Sequence, residues 1–142
     1  MNATTLLVLS PQRRSKLQRL LNDCGVQTSV ASTLEEARQK LASSSSYDLV
    51  LTDAELPDGS WQDLLEFVLD SRKACEIVVS SRCGDEDLWA EVLQRGAYDL
   101  LVEPYDRQEV CRIIESALDS HHMLRITQMM ETASAQPLFQ GS

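Results

Sequence analysis

Short runs of uninterrupted apolar residues recur along this chain, and each is followed by a stretch whose apolar positions return every three or four residues. Leu6 to Leu9 is the first run, and Leu17, Leu20 and Leu21 follow at helical spacing up to Gly25. Ser10 and Pro11 stand between the two as an N-cap and a first helical residue. Val26 to Ala31 predicts a second strand; after Ser32 and Thr33 a helix carries Leu34, Ala37 and Leu41 on one face. Leu49 to Leu51 is a third strand, and Trp61, Leu64, Leu65, Val68 and Leu69 form the stripe of a helix opened by Ser60. Ile77 to Val79 leads through Ser80, Ser81, Arg82, Cys83 and Gly84 to a helix from Asp85 with Leu88, Trp89, Val92 and Leu93. Tyr98 to Val102 is the last strand, and the last helix carries Val110, Ile113, Ile114, Ala117 and Leu118.

Strands that are apolar throughout, rather than in alternation, are covered on both faces. Alternating strands and helices with right-handed crossovers therefore predict a doubly wound α/β fold with a five-stranded parallel sheet. In such sheets, chemistry collects at the carboxyl ends of the strands. Asp53 stands at that end of the central strand, before the turn formers Pro57, Asp58 and Gly59.

Composition narrows the function. The formal charge is -9 at pH 7, an unfavourable mean field for direct binding to nucleic acid or to an anionic membrane. No run approaches membrane-spanning length, and the first residues lack the pattern of a signal peptide, so the protein is expected to be cytoplasmic. Cys24, Cys75, Cys83 and Cys111 show no C-x-x-C spacing and are expected to be reduced and mostly buried. Neither the serine run Ser43 to Ser46 nor the pair His121 and His122 is assigned a function. Without a Gly-rich loop after the first strand, a nucleotide or flavin site has little support. No constellation supports metabolic turnover, so an enzyme is not expected.

The segments YDLVLTDAELPDG, IVVSSRCGDEDL and GAYDLLVEPYD resemble, in order, the third-, fourth- and fifth-strand segments of the receiver domain of two-component response regulators. The resemblance covers about residues 4 to 120. It implies a flavodoxin-like (βα)5 fold, a phosphoacceptor position at Asp53, a phosphoryl-contact hydroxyl at Ser81, and a cis peptide before Pro104. It also implies protein partners, a histidine kinase or an output protein, and a possible homodimer through the fourth and fifth helices. On this reading residues 1–122 are a receiver-like domain and 123–142 a helix extension and flexible tail, the tail beginning at Thr132.

The departures from the family bear on chemistry. Where the family holds Mg²⁺ with two acids at the end of the first strand, this chain has Val8, Leu9 and Ser10, and its first acid is Asp23. A hard cation deprived of two carboxylates is held poorly, so Mg²⁺ is expected to bind weakly if at all. Glu103 replaces the family's lysine and reverses a charge meant to sit beside the phosphoryl oxygens, a penalty on the order of several kcal/mol at close range. Leu100 takes the place of the aromatic switch residue. Arg82 stands where a small residue is usual, and its length suggests an ion pair with Asp53 or Glu103 that substitutes for the metal and the lysine. Asp53, Glu55 and Glu103 are an alternative cation set. The expectation is a receiver whose phosphorylation chemistry is impaired and which acts as a protein interaction module. A phosphoaccepting switch and a small-ligand-binding α/β module are the alternatives.

Overall fold

A computed structural model describes residues 4–43, 47–71, 75–82 and 86–134, with backbone alone over 121–129 and 131–134 of the last helix. The expected features of Ser44 to Ser46, Cys83 to Asp85 and the tail beyond Ser134 lie outside the described residues. The chain runs β1 (Thr4–Val8), α1 (Pro11–Asp23), β2 (Gln27–Ala31), α2 (Leu34–Ser43), β3 (Leu49–Asp53), β4 (Glu55–Leu56), β5 (Gly59–Ser60), α3 (Trp61–Asp70), β6 (Glu76–Ser81), α4 (Glu86–Arg95), β7 (Asp99–Val102) and α5 (Arg107–Ser134). Five strands form one parallel sheet in the order β2-β1-β3-β6-β7, the doubly wound arrangement expected from the sequence. The loop after β3 adds a two-residue antiparallel ladder between β4 and β5.

Successive strand side chains point to opposite faces, and this period divides the core in two. Leu6 and Val8 of β1, Val50 of β3, Ile77 and Val79 of β6 and Leu100 of β7 pack with α2, α3 and α4. Leu7, Leu49, Leu51, Val78 and Leu101 point the other way, against Leu17 and Leu21 of α1 and Val110, Ile113, Ile114 and Ala117 of α5. The continuous apolar runs are thus explained residue by residue: each strand feeds both layers.

Helix ends follow local chemistry. Ser10 and Pro11 open α1, and the chain leaves it through Gly25 at φ 81, a conformation in which glycine carries no Cβ penalty. Ser60 precedes α3, its backbone N–H bonded to the Asp63 carboxylate at 3.1 Å. The start of α2 has an additional, distant cap: Leu34 N–H and Glu35 N–H donate to the two carboxylate oxygens of Asp58 at 2.7 and 3.0 Å, so the β4–β5 turn is tied to α2.

Three expectations are corrected. The apolar stripes of α3 and α4 are wider than the faces they bury, leaving Leu69 and Leu93 exposed and Trp89 half exposed, while Trp61 is buried. The last helix continues through Ser134, so Thr132 to Ser134, expected in the tail, are helical. Cys24 and Cys111, expected to be reduced, are joined in a disulfide with their Cα atoms 6.0 Å apart, whereas Cys75 is buried and is no part of that bond. Among the described residues, no helix is long and apolar enough to cross a membrane.

Candidate functional site

The parity that divides the core also places the charged groups. Asp53, two residues beyond Leu51, and Glu103, two beyond Leu101, follow the alternation that sends side chains toward α1 and α5. The first turn of α1 lies over this edge because β1 ends beside β3, with Val8 paired to Thr52. Arg13 comes from that turn and lies between the two acids. Its guanidinium Nη1 is 2.6 Å from Asp53 Oδ1 and its Nε is 2.8 Å from Glu103 Oε1. The second Asp53 oxygen, Oδ2, accepts the Ser10 backbone N–H at 2.9 Å. Both oxygens of this carboxylate, which is only 5% exposed as a residue, are therefore occupied by donors from the start of α1.

Burial opposes the charge on Arg13, but the hydrogen bond and charge of Asp53, aided by Tyr105 and Glu103, outweigh it and push its pKa above the ordinary arginine value. The N-terminal end of α1 adds the positive end of a helix dipole to the same carboxylate. Beside this cluster Ser80 Oγ and Tyr105 Oη share a hydrogen bond at 2.5 Å. Burial raises the Tyr105 pKa, the Ser80 bond works against that rise, and Glu103 adds to it. The phenol thus stays protonated next to an ion pair.

The expected arginine is therefore replaced by another. Arg82 is exposed, just past the last residue of β6, and among the described residues no ion pair joins it to Asp53 or Glu103. The strand that would aim it into the site has ended before it. Ser81 occupies the last position of β6, half-buried, and pairs across the sheet with Val102. Glu55 lies exposed on β4, outside the cluster formed by Asp53 and Glu103. Leu100 is packed in the core, and Val8 and Leu9 are buried apolar residues at the end of β1. The Glu103–Pro104 peptide is cis, as expected from the resemblance.

The residues present do not fit a divalent cation. The end of β1 offers hydrocarbon where a metal needs oxygen, and a guanidinium nitrogen already touches the Asp53 oxygen that would bind it. Among the described residues no group of three or more His, Cys, Asp or Glu converges to hold an ion. What the arrangement supplies is a closed electrostatic triad, acid, guanidinium and acid, with both Asp53 oxygens taken up by donors.

The response regulator receiver domain model matches residues 10–115. The response regulator protein PilR of Pseudomonas aeruginosa is 32% identical over 108 residues, covering 76% of this chain and 24% of that protein. The chemotaxis protein CheY of Treponema pallidum is 35% identical over 77 residues, 54% of each chain. A solved structure, the signal receiver domain of an HD domain-containing protein from Pseudomonas fluorescens Pf-5, superposes with a TM-score of 0.76 at 26% identity, covering 87% of this chain and 99% of that one. The chain spans about a quarter of the length of PilR and of the nitrogen regulator NtrC from Azospirillum brasilense.

Proposed function

The chain belongs to the response regulator receiver domain family, and from that premise we propose that it is a two-component signalling domain whose phosphorylation site is held shut by Arg13. Asp53 is assigned the phosphoacceptor position and Ser81 the phosphoryl-contact position, on the resemblance of their strand segments. The observation that carries the reading is the pair of short contacts from one guanidinium to Asp53 and Glu103. Phosphoryl transfer to a carboxylate relies on positioning and on cationic stabilisation of the phosphoryl oxygens. Here the one cation in contact with Asp53 among the described residues, Arg13, is already paired with two acids.

Such a domain signals by docking rather than by accepting phosphate. Trp89 and Leu93, four residues apart on α4, give that helix an exposed apolar patch suited to a protein partner. A histidine kinase or an output protein is the partner class, and a homodimer through α4 and α5 uses the same face. The acidic charge disfavours direct contact with nucleic acid, and a cytoplasmic location suits the partners.

Calorimetric titration with Mg²⁺, alone and with beryllofluoride as a phosphoryl mimic, tests the closed site. We expect no saturable heat at millimolar Mg²⁺ in either case. Saturable binding that disappears in Asp53→Asn would show an open, metal-competent site and refute the reading.

A further inference from the structure

The disulfide between Cys24 and Cys111 lies outside the Asp53 site and joins two elements 87 residues apart in sequence. Cys24 is the C-cap of α1, and Cys111 lies in the first turns of α5. Both helices pack on the same face of the sheet, so the bond ties them side by side over one core layer. Ala117 and Leu118 of α5 pack on this layer, Ser120 is bonded to Glu76, and the helix runs on to Ser134. The 14 residues beyond Ser120 are about 20 Å of helix. The bond therefore ties the start of this long helix to the end of α1.

Both bonded residues are half-buried, in contrast to the buried Cys75. A bond shielded inside a core would serve only stability; one at the edge of two helices can be opened and closed. We propose that Cys24 and Cys111 form a reversible redox switch that sets how firmly α5 is held against α1, giving the domain an input independent of phosphate. The proposal holds whether or not Asp53 accepts a phosphoryl group.

The chemistry is thiol–disulfide exchange. A low-molecular-weight thiolate attacks one sulfur of the pair, the S–S bond breaks, and the other sulfur leaves as a thiolate and takes a proton. A second thiol then resolves the mixed disulfide. The net reaction reduces the Cys24–Cys111 bond to two thiols and oxidises two small thiols to one disulfide. The reverse reaction uses the oxidised small disulfide, so no further co-reactant is needed.

The test equilibrates the full chain in glutathione buffers of graded oxidised-to-reduced ratio, traps thiols with an alkylating agent, and maps the modified peptides. Amide hydrogen exchange is then followed in the fully oxidised and fully reduced forms. We expect Cys24 and Cys111 to lose reactivity together in one two-electron transition. In the reduced form, α5 amides should exchange about tenfold faster or more, with the central strands less affected. Cys24→Ser and Cys111→Ser should each remove the redox dependence; should either fail to fold, the oxidised and reduced parent still give the comparison. Separate titration of the two cysteines, pairing of either with Cys75 or Cys83, or equal exchange of α5 in both forms would overturn the proposal.

Discussion

A guanidinium held 2.6 Å from one carboxylate and 2.8 Å from another cannot be removed without leaving two acids facing each other in a largely buried edge. Arg13→Met keeps the aliphatic stem and removes only the charge. We expect it to destabilise the fold by about 2 kcal/mol, less than for a fully buried pair because Glu103 is partly exposed. Asp53→Asn should cost less, about 1 kcal/mol, since an amide oxygen still accepts from Ser10 and Arg13 keeps Glu103. Urea denaturation of both single variants and the double variant should show losses that are less than additive, the sign of a shared interaction. A second residue-scale prediction concerns Thr5, whose buried hydroxyl oxygen has no hydrogen-bond partner among the described residues. Thr5→Val removes an unsatisfied polar atom, and thermal unfolding should show a gain of about 1 kcal/mol. The site's acids were legible in the sequence, because a strand end and a family segment both point to Asp53. Its cation was not. Arg82 adjoins Ser81 in a family segment, whereas Arg13 stands 40 residues from Asp53 on α1 and meets it only through the fold. The usable signal was strand parity: Asp53 and Glu103 share the α1 side, and Arg13 sits three residues after the Ser10 cap.

At the scale of elements, strands and helices were readable because the central strands are apolar runs and two helix starts carry local signals, Pro11 after Ser10 and the Ser60–Asp63 capping box. Interactions between distant elements were not readable. The Asp58 cap of α2 spans 24 residues and has no local motif. It carries a pH signature, because the two backbone N–H donors of Leu34 and Glu35 hold the Asp58 carboxyl below its ordinary value of 3.8. A depressed folded-state pKa gives stability that is present above the unfolded value and lost as pH falls through the folded one. The stability difference between the parent and Asp58→Ala, read from urea melts, should therefore be full at pH 7 and shrink below about pH 4. The half-exposed Trp89 shows the limit of helical periodicity: an apolar stripe marks which residues could face a sheet, while the breadth of the sheet decides how many do.

For the whole molecule, the fold is that of a receiver, and the proposal is that Arg13 closes the phosphorylation site. The sheet order, the acid at the end of β3 and the cis peptide before Pro104 match the family plan. The end of β1 is apolar, and Arg13 pairs with both Asp53 and Glu103. Intact-mass analysis after incubation with acetyl phosphate, with and without Mg²⁺, on the parent and on Asp53→Asn, tests this most directly. The account predicts no phosphoryl adduct on the parent in either condition. A Mg²⁺-dependent adduct on the parent that is absent from Asp53→Asn would contradict it and establish a working phosphoacceptor.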